Sequence, residues 1–261
     1  MEEVLEFDDE TSRVVEEFNA SQGAMERRRR ITATLALKAG ESILDVGSGP
    51  GHQAFEMSAN VGPSGRVQGI DPAESAIAIA SKRCSGLPNV DFEIGDATQL
   101  PFEDATFDAV MSSQVFEYLD NVSDGLREMY RVLRPNGRVL IHDTDWGALL
   151  WRSSDTQRMA RIMEVWDRHL TDPCLPQTLR SKLRHAGFRD IDVEPVIQLE
   201  TEFDPGSISG VLMRFIVGYV ESQGISASEA NDWKADLENL GTSGDYFFSS
   251  NEYIFVGRKP I

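Results

Sequence analysis

Three glycines and two acidic residues in the first hundred positions have the types and spacing to hold a nucleoside. Gly47, Gly49 and Gly51 follow the apolar positions Ile43, Leu44 and Val46 at two-residue intervals. That pattern reads as a buried strand delivering the backbone into a tight turn, where glycine lets a ligand lie directly against the main chain. Asp71 closes the second apolar run, Val67-Gln68-Gly69-Ile70. A carboxylate there can accept both hydroxyls of a ribose side by side. Asp96 follows Phe92-Glu93-Ile94-Gly95 and is placed to accept a proton from an exocyclic amine such as adenine's, with the Ala97 N–H beside it. Each acid alone equally suits a helix N-cap or a solvated loop. The glycine turn and both acids, each at a strand end, point to an adenosine-containing ligand.

The glycine spacing separates two ligand classes. A dinucleotide site expects Gly-x-Gly-x-x-Gly, so that a helix N-terminus receives a pyrophosphate. This chain has Gly47-x-Gly49-x-Gly51, which disfavours the alternative of an NAD(P)-dependent oxidoreductase. Asp45 to Gly51 instead resembles the D-x-G-x-G-x-G motif of the class I S-adenosylmethionine-dependent methyltransferases. Gly69-Ile70-Asp71 resembles that family's ribose-binding segment, and Gly95-Asp96-Ala97-x-x-Leu100-Pro101-Phe102 its adenine-binding segment. Phe107-Asp108-Ala109-Val110 through Gln114-Val115-Phe116 resembles the fourth strand with its active-site end. Leu133-Arg134-Pro135-x-Gly137-Arg138 resembles the turn into the fifth strand. Within the superfamily the chain is most similar to the small-molecule branch of quinone-biosynthesis C-methyltransferases and arsenite-methyltransferase-like proteins.

The resemblance implies S-adenosyl-L-methionine as cofactor. Gly47, Gly49 and Gly51 would line its methionine portion, with Asp45 orienting the glycine loop or meeting the amino group. Asp71, with Pro72 after it, would hold the ribose, and Asp96 with Ala97 the adenine. Ser113 and Gln114 would pass under the sulfonium. One of Arg27, Arg28 or Arg30 could reach the carboxylate, although a solvated helix face suits most of that run. Arsenite chemistry in related proteins relies on several cysteines, and this chain has two, Cys84 and Cys174. Cys84 reads as core and Cys174 as a loop thiol. No metal site is expected.

Methyl transfer asks mainly that the nucleophile be aligned in line with the departing sulfur, and a base matters where the acceptor must lose a proton. The catalytic candidates are His142, Tyr118 and Asp145, and Trp146 and Trp151 are candidates to wall an apolar acceptor pocket. Asp143 adds to the ionisable crowd after strand five. A histidine within a strand, as His142 is, is more often a satisfied interior one, and the two tryptophans equally suit packing of the following helix. The expected partner is a small, partly apolar methyl acceptor. A non-catalytic S-adenosylmethionine-binding protein is the alternative from another class.

Alternating strands and helices must position these groups. Helical spacing covers 24–39, 51–60, 72–85 and 122–133, and strands are expected at 42–46, 66–71, 90–94, 106–111 and 138–142. Helices at 153–170 and 177–186, a strand at 191–199, helices at 207–222 and 226–240, and a last strand at 253–256 follow. This order predicts an α/β fold, a Rossmann-like doubly wound sheet of seven mostly parallel strands. It also predicts an N-terminal helical cap at 1–40, a core at 41–199, a helical insertion at 200–250 that caps the substrate, and the last core strand at 251–261.

Composition narrows the partners. The net charge of −18, with 43 Asp and Glu against 25 Lys and Arg, repels phosphate backbones and argues against nucleic acid. Such a surface suits either a high-salt habitat or an ordinary acidic cytosolic protein. No apolar run approaches the roughly 18 residues of a membrane span, and Met1-Glu2-Glu3 is no basic leader. A cytoplasmic location is expected, and no oligomeric state is implied.

Overall fold

The computed structural model describes residues 16–261. In chain order the elements are α1 (Gln22–Leu35), β1 (Ser42–Val46), α2 (His52–Val61), β2 (Arg66–Asp71), α3 (Glu74–Arg83), β3 (Val90–Ile94) and β4 (Phe107–Ser113). Then come α4 (Val122–Val132), β5 (Leu133–Trp151), α5 (Thr156–Trp166), α6 (Pro176–His185), β6 (Arg189–Glu200), α7 (Ile208–Ser222), α8 (Ala227–Ser243) and β7 (Phe248–Arg258). The chain divides into two compact units. One, the sheet unit, holds Arg28–Thr144, Cys174–Val196 and Glu252–Ile261. The other, the helical unit, holds Asp145–Pro173, Ile197–Asn251 and the segment up to Arg27.

The seven strands lie in the order β3-β2-β1-β4-β5-β7-β6. β1 pairs in parallel with β2 and β4, β2 with β3, and β4 with β5. β7 runs opposite to β5: Asn136, early in β5, donates to the carbonyl of Lys259, while His142, further along, meets Glu252. The strand order reverses at β1 and β4, the position where open parallel sheets leave a crevice at their carboxyl ends. The expected doubly wound, mostly parallel sheet is therefore present.

Alternation along each strand divides the interior in two. Leu44, Val46, Val110, Val139 and Ile141 pack with α4 (Leu126, Met129) and α6 (Leu179, Leu183). The intervening Ile43, Ala109, Met111 and Leu140 pack with α1 (Ile31, Leu35) and α2 (Ala54, Met57, Val61). Cys84 is buried in this second cluster, as its helical position implied.

In the helical unit, α5, α7 and α8 bury Ile162, Val165, Ile216, Val220, Trp233 and Leu237 around Trp151 and Phe248. The Trp151 ring meets Trp233 and Phe248 edge-on, at 5.5 and 4.8 Å between centroids. The helices start on side-chain caps: Asp155 accepts from Arg158 N–H, Ser207 from Gly210 N–H and Ser226 from Glu229 N–H. Each cap satisfies an N–H that the helix itself leaves without a partner.

Three expectations are corrected. The first helix stops at Leu35 rather than at 39, because Ala36 takes a left-handed φ of +49°. The helix expected from Pro72 begins at Glu74, leaving Pro72 exposed ahead of it. β5 extends far beyond 138–142: along the continuation Asp143 Oδ1 accepts from Val115 N–H and the Thr144 hydroxyl donates to Gln114 Oε1. The part of the expected N-terminal cap at 1–15 lies outside the described residues.

Arg138 ties the start of β5 to α1 and β1. Its guanidinium is bidentate to Glu41, at 3.0 and 2.6 Å, and also donates to the carbonyls of Leu35 and Ala36 that end α1. Burial alone would raise the Glu41 carboxyl, but the hydrogen bonds from Arg138 and from Lys38 N–H hold it below its ordinary value. Breaking so buried a pair costs roughly 3–5 kcal/mol. Arg138→Ala should lose about that much in urea unfolding at pH 7; an unchanged midpoint would show that α1 is held by packing alone. Glu41 stabilises the fold when ionised, so its contribution is present above its ordinary carboxylate range and is lost as pH falls through its depressed value.

Candidate functional site

Apart from the arginine run, the sequence-nominated cofactor residues lie in the sheet unit, at the carboxyl ends of β1, β2, β3 and β4. The turn after β1 is anchored to β2: the N–H groups of Gly47 and Ser48 both donate to Ile70 O, at 2.8 and 3.0 Å. Gly47 has φ +73°, and a Cβ there would come within 2.2 Å of the Val115 side chain. Only glycine fits. Gly49, at φ +49°, is different, because a Cβ on it would meet nothing within 4 Å. Its backbone faces open space, as a ligand lying on the main chain requires. Gly51, also left-handed, leads into α2 without a side-chain cap.

The Asp71 carboxylate organises this turn. One oxygen accepts from Gly49 N–H and the other from Ala73 N–H, both at 2.9 Å. Each carboxylate oxygen keeps a lone pair for a further donor. Behind it, Asp45 is 2% exposed, and its Oδ2 has no hydrogen-bond partner among the described residues. Burial, reinforced by the charge of Asp71, raises the Asp45 pKa from 3.8 to about 7. Asp96 is exposed at the end of β3, where its Oδ1 accepts from the Thr98 N–H and hydroxyl at 2.7 and 2.8 Å. Ala97 beside it is buried.

At the end of β4, Gln114 holds a left-handed φ of +58°, costly for a residue with a Cβ and a feature of functional turns. Its N–H donates to His142 O at 2.8 Å, and its side-chain oxygen accepts from the Thr144 hydroxyl at 3.0 Å. Ser113 Oγ lies 3.0 Å from His142 Nδ1, and Glu252 Oε2 lies 2.9 Å from His142 Nε2. His142 is fully buried. Asp143, also fully buried, accepts from Val115 N–H through Oδ1, while its Oδ2 has no partner among the described residues. Burial raises its pKa well above the ordinary value against the pull of the Val115 and Phe116 N–H groups. Glu117 accepts from Thr144 N–H. Tyr118 exposes 43% of its surface. Its hydroxyl end is nonetheless turned inward, and burial, then the charges of Glu117 and Asp143, raise its pKa well above the ordinary value.

Asp145, Trp146 and Trp151 belong to the helical unit. Asp145 is buried, and Trp146 meets Trp166 edge-on at 5.8 Å. Half of the arginine run departs from a solvated face. Arg28 is buried against Glu56 at 2.7 Å, and Arg27 lies over the Phe18 ring. Sequence reasoning missed Glu252 and Glu117. Glu252 sits two positions before the buried Ile254, so the strand alternation was the signal that it points inward.

Among the described residues no group of three or more His, Cys, Asp or Glu side chains is arranged to hold a metal ion. No described helix is long and apolar enough to cross a membrane.

Asp45→Asn tests the buried acid. Between its unfolded value of 3.8 and its folded value of about 7, the folded state keeps a proton that the unfolded chain has released. Stability from this group is full below the lower value and is lost as pH rises to the upper one. Urea midpoints of Asp45→Asn should lack that decline between pH 4 and 8; parallel curves for variant and parent would contradict the burial-driven shift.

A methyltransferase domain family matches residues 37–187, more than half of the chain. An uncharacterised 37.1 kDa protein in transposon TN4556 of Streptomyces fradiae is 33% identical over 229 residues, 86% of this chain and 64% of that protein. Demethylmenaquinone methyltransferase of Staphylococcus aureus is 35% identical over 117 residues, 45% of this chain and 48% of the enzyme. The chain thus spans less than two thirds of the length of either relative. In three dimensions it is similar to a phosphoethanolamine N-methyltransferase of Haemonchus contortus in complex with phosphomonomethylethanolamine and S-adenosylhomocysteine. The TM-score is 0.66 at 21% identity, over 98% of this chain and 58% of that one. It is also similar to the [4+2]-cyclase SpnF, with a TM-score of 0.61 at 24% identity over 94% of this chain and 85% of that one. Taken with the glycine turn and the acids that follow it, the family match shows that the chain belongs to the class I S-adenosylmethionine-dependent methyltransferases.

Proposed function

We propose that this chain binds S-adenosyl-L-methionine at the ends of β1 to β4 and methylates a small, partly apolar molecule by in-line displacement. The observation that carries the reading is the open backbone at Gly49, fixed by the Asp71 carboxylate beside a buried Asp45 oxygen that has no partner among the described residues. Open main chain suits a ligand laid against the turn. A carboxylate with lone pairs to spare suits ribose hydroxyls, and an orphaned buried acid suits an ammonium.

In this reading Gly47, Gly49, Gly51 and Asp45 hold the methionine portion, Asp71 and Pro72 the ribose, Asp96 and Ala97 the adenine. Ser113 and Gln114 lie under the reacting centre. When bound, the cofactor supplies an electrophilic methyl carbon on a sulfonium. The protein's own task is to orient the acceptor and exclude water. His142, Tyr118 and Asp145 are the candidates for handling an acceptor proton, and Trp146 and Trp151 for apolar contact. The partial similarity to demethylmenaquinone methyltransferase supports a small apolar acceptor. The net charge of −18 supports a small molecule over nucleic acid.

Calorimetric titration with S-adenosylhomocysteine should give a Kd of about 1–100 μM, the range common for enzyme ligands. Asp71→Ala should weaken it at least about ten-fold, through loss of a charged hydrogen-bond acceptor worth about 1.5–3 kcal/mol. No heat and no thermal shift with the parent protein would remove the reading.

A further inference from the structure

The sheet unit encloses a polar chain that leads from the proposed cofactor site into the interior. It runs from Ser113 Oγ through His142 to Glu252, with contacts of 3.0 and 2.9 Å. His142 and Glu252 are 0% and 2% exposed, while Ser113 is only partly buried at the end of β4. Three strands contribute: β4 by its last residue, β5 by the middle residue that pairs with it, and β7, which runs opposite to β5, by its amino-end half. Burying an imidazole and a carboxylate inside a sheet is costly unless each finds its partner, and apolar residues of equal volume would serve stability as well.

The hydrogen-bond directions assign the tautomer. Thr144 Oγ–H donates to Gln114 Oε1, so the Gln114 amide presents its NH2 to His142 Nδ1, at 3.5 Å. Nδ1 is thereby an acceptor, and the Ser113 hydroxyl donates to it. Nε2 carries the proton and donates to Glu252. The hydroxyl faces the end of β4, the imidazole is poised to take its proton, and a carboxylate stands behind to stabilise the resulting cation. Of the other titratable groups here, Asp143 accepts from Val115 N–H and Glu117 from Thr144 N–H, with the Tyr118 hydroxyl near those two.

We propose that Ser113, His142 and Glu252 form a proton relay, so that the acceptor is an oxygen or carbon acid that loses its proton on methylation. The inference rests on the methyltransferase reading above and adds the acceptor class. The acceptor's proton passes to Ser113 Oγ as the Ser113 hydroxyl proton passes to His142 Nδ1. The positive charge then rests on the imidazolium, paired with ionised Glu252, until the proton returns through Ser113 to solvent. Glu252 is a positioning residue, acting through His142. An amine acceptor, already nucleophilic as the free base, would not need this device.

The test measures release of S-adenosylhomocysteine from S-adenosylmethionine by the full chain. The probes are phenols, hydroquinones and 1,3-dicarbonyl compounds, set beside primary and secondary amines. Turnover of the oxygen or carbon acids is expected. Glu252→Gln should lower kcat about a hundred-fold while leaving KM and the S-adenosylhomocysteine Kd within about two-fold. Without the carboxylate the imidazolium loses support, so the acidic limb of kcat should move down by about 1–2 pH units. Glu252→Asp should restore part of the rate, and Ser113→Ala, which interrupts the chain at its partly buried end, should lower kcat as well. An unchanged kcat profile in Glu252→Gln and Ser113→Ala, consumption of amines alone, or no turnover of any acid overturns the relay. A parent protein that fails to bind S-adenosylhomocysteine removes the methyltransferase reading instead.

Discussion

The hydrogen bond from Gly49 N–H to the Asp71 carboxylate joins the turn after β1 to the end of β2. Much of the site depends on it. The turn can approach β2 this closely because the Gly47 and Ser48 N–H groups also reach Ile70 O. Gly47 and Gly49 supply the left-handed backbone that such an approach demands. With Asp71 committed as acceptor, Asp45 sits buried beside a second negative charge and is driven toward neutrality. The contact fixes the shape of the turn, and the Asp71 charge adds to the burial that raises the pKa of the acid behind it.

The sheet explains why these groups converge. Strand order reverses at β1 and β4, and the proposed cofactor-binding side chains lie at the strand ends flanking that point. β7 makes an exception useful. Running against β5, it brings its amino-end half to the level where β4 ends, so Glu252 reaches His142 from 110 residues away. Hydrogen bonds at this level replace hydration that burial removes from Asp143 and Thr144, along which β5 continues as strand.

Legibility in the sequence followed how local each constraint is. A turn that needs left-handed backbone leaves glycine at Gly47, Gly49 and Gly51, and strand-end acids leave Asp71 and Asp96 at readable distances. The alternating elements likewise announced the doubly wound sheet. Long-range partnerships left no such trace. Arg28 belongs to a run that reads as solvated, yet Glu56 takes it into the interior. Arg138 reads as a turn residue, though it closes α1 through two carbonyls. Glu252 is a single acid in a strand, and only its partner His142 gives it meaning. The full length of β5 was hidden for the same reason, since Asp143 and Thr144 look like a strand end until their partners are known.

The most direct measurement is a crystal structure of the full chain grown with S-adenosylhomocysteine. The expected result places the ribose hydroxyls on Asp71, the adenine beside Asp96 and Ala97, and the homocysteine portion along Gly47–Gly51 with its amino group toward Asp45. Ligand density elsewhere, or a Gly47–Gly51 turn left bare at saturating ligand, would contradict the assignment of this turn as the methyl donor's site.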